Sequence, residues 1–150
     1  MNSIFDHALR AALIARIQTL DETRIAQWGK MNVYQMVRHC NLWEGWIQGT
    51  PPRAYRQELL GRVFGKMALR RLTRDDQPFG RNIPTSRAFQ VTDTSGDLAA
   101  EKRRWIAALE AYDRYSNPGF IHDFFGRMTQ EEIGQLAYKH TDHHLRQFGA

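Results

Sequence analysis

The chain has 150 residues, 42% of them hydrophobic and 25% charged, with a net charge of +5. This is the make-up of one soluble globular domain spanning residues 1–150, long enough to bury a single sizeable core. The only cysteine, Cys40, excludes an internal disulfide and a cysteine-based zinc cluster, and no apolar run reaches the length of a membrane span.

The first residues, Met1 to His7, lack the basic start and apolar run of a secretory signal, so a reducing cytoplasm is the expected compartment and no membrane association is expected. Ile4, Phe5, Ala8, Leu9, Ala12, Leu13 and Ile17 then recur at three- and four-residue steps, which predicts an amphipathic first helix. Asn32 is placed to cap a second helix over residues 33–48, with Gln35 completing a capping box. That helix is expected to bury Val33, Met36, Val37, Cys40, Trp43 and Ile47 and to stop at Gly49-Thr50-Pro51-Pro52.

A further helix is predicted over residues 55–72, with Leu59, Leu60, Val63, Phe64, Met67, Ala68 and Leu72 as its apolar side. Residues 73–96 change character, rich in Pro, Gly, Ser and Thr. They predict a long ordered loop or lid with a short extended piece near residues 88–91. A core helix follows over residues 97–115, and then an aromatic connection over 120–128. Thr129-Gln130-Glu131-Glu132 next opens a final helix that runs to about Gln147. The pattern predicts an all-α fold, an antiparallel four-helix bundle with an extra helical segment and a long loop between the second and third core helices. The basic residues Arg62, Lys66 and Arg70 recur every four positions and read as a solvated helical face, so nucleic acid is not the expected partner.

Chemistry concentrates at the end of the last helix. At about 100° per residue, His140 and His144 lie roughly 40° apart on the wheel, on the arc of Ile133, Leu136, Ala137 and Gln147. Two imidazoles one turn apart can chelate one metal. They can also interact with the carbonyls at a helix C-terminus. Their inward placement favours the metal, since unpaired polar groups are costly inside a core. His39, flanking the core arc of the second helix, is the candidate third ligand, because bundles assemble such sites from facing helices. His143 flanks the pair and Asp142 points to the opposite side. Glu44 is a candidate fourth ligand or base, or a partner in a tertiary salt bridge. His122 and Asp123 either line a cleft or cap a turn, His7 is expected to be exposed, and Cys40 to be an inert buried thiol.

Trp28-Gly29-Lys30-Met31-Asn32 followed by Gln35-Met36-Val37-Arg38-His39-Cys40, and the ending His140-x-x-His143-His144-Leu145-Arg146-Gln147-Phe148-Gly149, resemble signatures of DinB-like proteins. Together with Pro84-Thr85 and Phe124-Phe125-Gly126, they look like a subgroup known only as a domain of unknown function. The resemblance implies a four-helix bundle holding zinc or nickel through His39, His140 and His144. It further implies activation of water or a low-molecular-weight thiol on a small-molecule substrate, as in a metal-dependent hydrolase or thiol S-transferase. Gln147, Glu44 and His143 are then the candidates for proton handling or for support of the ligands, with residues 73–96 a candidate lid. The alternative is a non-catalytic bundle in which a metal is structural, or one that binds a ligand or forms a homodimer.

Overall fold

The computed structural model describes residues 1–83 and 86–150, so Pro84-Thr85 lies outside the described residues. Five α-helices form: α1 (His7–Gln18), α2 (Val33–Gln48), α3 (Leu59–Leu72), α4 (Leu98–Glu110) and α5 (Gln130–Gln147). No strand occurs among the described residues, and the only β feature there is an isolated antiparallel bridge between His122 and Gly126. The fold is an all-α helical bundle. In it α1 and α2 each pack against both α4 and α5, which closes a four-helix ring around the core.

Local signals set the helix ends. Asp6 accepts from the Leu9 amide at 3.0 Å and opens α1. Asn32 and Gln35 form the expected capping box of α2, and Thr129 with Glu132 forms that of α5. Gly49, at φ +70°, supplies the left-handed residue that ends α2. Asp97 caps α4, which tightens into a 3-10 turn over Ala111–Arg114. All six apolar residues expected on the inner face of α2 are buried.

Two expectations are corrected by packing. In α1, Ala8 and Ala12 face solvent while Leu13 and Ile17 are buried, together with Arg10. Methyl groups gain little from burial, so the longer side chains at 10, 13 and 17 set the inward face. The Arg10 guanidinium donates to the Ile4 carbonyl at 3.0 Å and pairs with Asp113. The extended piece expected near residues 88–91 is instead a 3-10 turn over Arg87–Phe89, which drives the Phe89 side chain into the core.

The larger correction is α3. It begins at Leu59 rather than 55, and Leu59, Leu60, Val63, Phe64 and Met67 are exposed, whereas Gly61, Gly65 and Leu69 are buried. The glycines, one turn apart, let the Phe124–Phe125 backbone lie directly on the helix. A Cβ on Gly61 would sit 2.8 Å from Phe124 Cα, and one on Gly65 would sit 3.1 Å from Phe125 Cα. Close backbone contact therefore decides which face turns inward, and the apolar stripe is left outside. Gly65→Ala is expected to destabilise the protein by about 1–3 kcal/mol despite alanine's better helix propensity. The check is a melting temperature lowered by roughly 2–12 °C. An unchanged or raised value would show that α3 does not rest on this loop.

Candidate metal centre

The site is built where α2 faces α5. His39 points from the middle of α2, and His140 and His144 point from the last two turns of α5, on the face opposite Asp142. Asp142 is held away by ion pairs to Arg16 at 2.7 Å and Arg146 at 2.6 Å. One ring nitrogen from each of His39, His140 and His144 lies within 4.8 Å of the others, so the three can hold a metal ion.

Hydrogen bonds outside the trio orient two of the rings. His39 Nδ1–H donates to the Phe89 carbonyl at 2.9 Å, and His144 Nδ1–H donates to Gln147 Oε1 at 2.9 Å. Gln147 is itself fixed, because its Nε2 donates to the Trp28 carbonyl at 2.8 Å. With the protons at Nδ1, the Nε2 lone pairs of His39 and His144 are left for another partner. His140 is clamped differently, stacked on Trp43 with ring centroids 4.0 Å apart and planes within 11°. Its Nδ1 is buried without a partner, while its Nε2 lies 3.3 Å from His39 Nε2. Two nitrogens each 2.0–2.1 Å from one tetrahedral zinc would be separated by about 3.3 Å. The donor set suits such an ion, the His39–His140 pair already has the required spacing, and the third nitrogen lies within 4.8 Å.

Burial keeps these imidazoles in the neutral, ligating form. Desolvation lowers the pKa of His39 and lowers that of His140 much further, and the neighbouring His144, His39, His143 and His122 reinforce the shift at His140. His144 is pushed down to about 3 by burial, with His39 adding to it and the Gln147 bond opposing it.

The remaining candidates separate clearly. His143 lies beside the trio, its ring 5.7 Å from Trp28 and 5.9 Å from Phe79, but contributes no atom to the three-nitrogen cluster. Gln147 supports His144. Glu44 lies elsewhere. Five residues after His39 on one helix, it points about 140° away, and its carboxylate accepts from Tyr112 at 2.7 Å and Gln48 at 3.3 Å. Burial, opposed by those two bonds, pushes its carboxyl up to about 7. His7 is exposed, and the buried Cys40 thiol contacts the Met36 sulfur.

A cavity of about 360 Å³ opens onto the trio, walled by Trp43, Trp46, Phe79, Phe89, Phe124 and Phe125. His122 and Asp123, read in the sequence as lining a cleft or capping a turn, line this cavity, and His122 also caps the turn. The contribution of Phe89 had no legible signal, since a backbone carbonyl carries no residue signature. Trp43 was legible only as core, although its place one turn after His39 puts it on the same side of α2.

The family described as Protein of unknown function (DUF1569) matches residues 3–150. The chain belongs to that family. No curated protein and no solved structure matches it. Within this DUF1569 chain no described helix is long and apolar enough to cross a membrane.

Proposed function

We propose that the protein is a DinB-like metal-dependent enzyme in which His39, His140 and His144 hold one divalent transition metal, zinc or nickel, beside a pocket for a small molecule. The observation that carries this reading is the convergence of three buried, neutral imidazoles, two of them held by Phe89 and Gln147 so that Nε2 faces the cluster. Three protein ligands suit a catalytic rather than a closed structural site. Such an ion would supply a lowered pKa to bound water or thiol, which is the requirement for hydrolysis or S-transfer. The chain's own part is to keep the imidazoles unprotonated by burial, to fix their orientation, and to line the approach with aromatic rings that exclude water.

Protein purified without a histidine tag and without added metal is expected to carry close to one equivalent of zinc or nickel by elemental analysis. Less than about a tenth of an equivalent, together with no tight binding on titration, would sink the proposal. A full equivalent with no exchangeable ligand on the metal would point instead to a structural ion in a non-catalytic bundle.

A further inference from the structure

His122 is the least explained group in the cavity. It sits in a tight turn closed by two backbone bonds, His122 N–H to the Gly126 carbonyl at 3.0 Å and Gly126 N–H to the His122 carbonyl at 2.9 Å. Inside that turn its Nδ1 accepts from two backbone amides, Phe124 at 3.1 Å and Phe125 at 3.3 Å. An Nδ1 facing two N–H donors cannot itself carry a proton, so the ring is neutral with its hydrogen on Nε2. The Phe125 ring, with centroids 4.3 Å apart, and the Trp46 ring, 4.8 Å away and steeply inclined, fix the plane of the imidazole. Among the described residues no group accepts from Nε2–H, and the side chain lines the same cavity as His39, His140 and His144. A donor open to the cavity is thus held rigidly in a mostly aromatic chamber without an acceptor from the described residues.

Charge narrows what the donor can meet. Glu58 and Asp123 are the carboxylates lining the cavity, and no lysine or arginine lines it among the described residues. Glu58 is exposed and Asp123 half-buried, which places them at the rim. Their proximity shows in Asp123, whose pKa is raised by burial and by Glu58 against a smaller lowering by Arg53. A negative charge at the outer end of a bound molecule would face these two carboxylates, which Arg53 offsets only in part.

We infer that the cavity receives a small, flat, largely apolar molecule whose oxygen acceptor is bound by His122 Nε2–H and whose outer end carries no negative charge. The inference rests on the metal reading only for what the inner end of the molecule meets. Burial supports the donor role, since it holds the His122 pKa down to about 3 and the ring stays neutral through the physiological range.

Three probes of similar size test this on zinc-loaded and metal-free protein: benzamide, ethylbenzene, which has no acceptor, and 4-carboxybenzamide, which carries an anion at the far end. Dissociation constants by ligand-observed NMR are expected to favour benzamide over each of the others by about tenfold. His122→Asn keeps an oxygen near the Nδ1 position for the two amides but removes the far donor, and is expected to erase the preference over ethylbenzene. His122→Gln, which keeps a donor near the Nε2 position, is expected to retain it. In the wild-type protein, the His122 Nε2 resonance is expected to shift with benzamide and not with ethylbenzene, which reads the contact without any variant. Equal binding of the three probes, binding of none, or a preference that survives in His122→Asn would overturn the proposal. Loss of the preference in metal-free His122→Asn, in a chain that binds no zinc, would sustain it while removing the metal reading. Tight zinc binding with the preference intact in His122→Asn would do the reverse.

Discussion

Alanine in place of His140 is expected to weaken zinc binding by more than about 100-fold, beyond the 10–100-fold that loss of a ligand's supporting partner costs. Its Nε2 lies 3.3 Å from that of His39, and the neighbouring His143 is turned instead towards Trp28 and Phe79. His143→Ala is therefore expected to change zinc affinity by less than about tenfold. Gln147→Leu, which leaves His144 Nδ1 without its acceptor, is expected to fall in the supporting range of about 10–100-fold. Competition with a chelator measures all three, with circular dichroism confirming that each variant folds. If His143→Ala and His140→Ala weaken binding equally, the three-nitrogen assignment is wrong.

The metal-free protein is expected to lose stability as pH falls from 7 to 5. A histidine in the unfolded chain takes up its proton near pH 6.5, whereas His122 and His144 in the fold hold it off until about 3. Between those values the unfolded state binds more protons, so the stabilisation is complete above pH 6.5 and is lost as pH drops towards 3. Each of the two contributes a loss of about 2 kcal/mol over pH 7 to 5, and the lowered His39 and His140 act in the same direction. Glu44 opposes them. Its carboxyl is raised from 4.5 to about 7, so its contribution is present below pH 4.5 and lost as pH rises through 7. Over the same interval it returns about 2 kcal/mol on acidification. Urea unfolding at the two pH values is expected to show a net loss in the parent protein and a larger one in Glu44→Gln. Stability that is flat or rises on acidification in Glu44→Gln would mean that the imidazoles are hydrated and not buried.

The elements with strong local chemistry were readable from residues alone. Asn32 with Gln35, and Thr129 with Glu132, fixed the starts of α2 and α5, and the wheel of α5 separated His140 and His144 from Asp142. The trio followed from those helices, because its members stand on the two segments that open with capping boxes. What could not be read was set by tertiary contact. The apolar side of α3 stayed outside because Gly61 and Gly65 admit the backbone of a loop some 60 positions later in the chain. Arg10 is buried because Asp113, 103 positions away, meets it, and no periodicity encodes such a partner. Glu44, read as a fourth ligand, base or salt-bridge partner, instead faces Tyr112 on the side of α2 away from the histidines. The Phe89 carbonyl and the His122 ring depend on turns whose exact geometry side-chain patterns do not specify.

His39 and His140 are 101 positions apart along the chain. An ion gripping both would therefore act as a reversible cross-link that closes a loop of that length. By the chain-entropy account of disulfides, tying a 100-residue loop removes about 4–5 kcal/mol of freedom from the unfolded ensemble, provided the tie survives unfolding. A coordinate tie between imidazoles breaks when the helices separate, so that freedom opposes rebinding instead. The unfolded chain must find both ends of a long loop before it can recapture the metal. Unfolding of the loaded bundle should then release the ion in the same step, with the slow step in its reassembly being the meeting of α2 and α5.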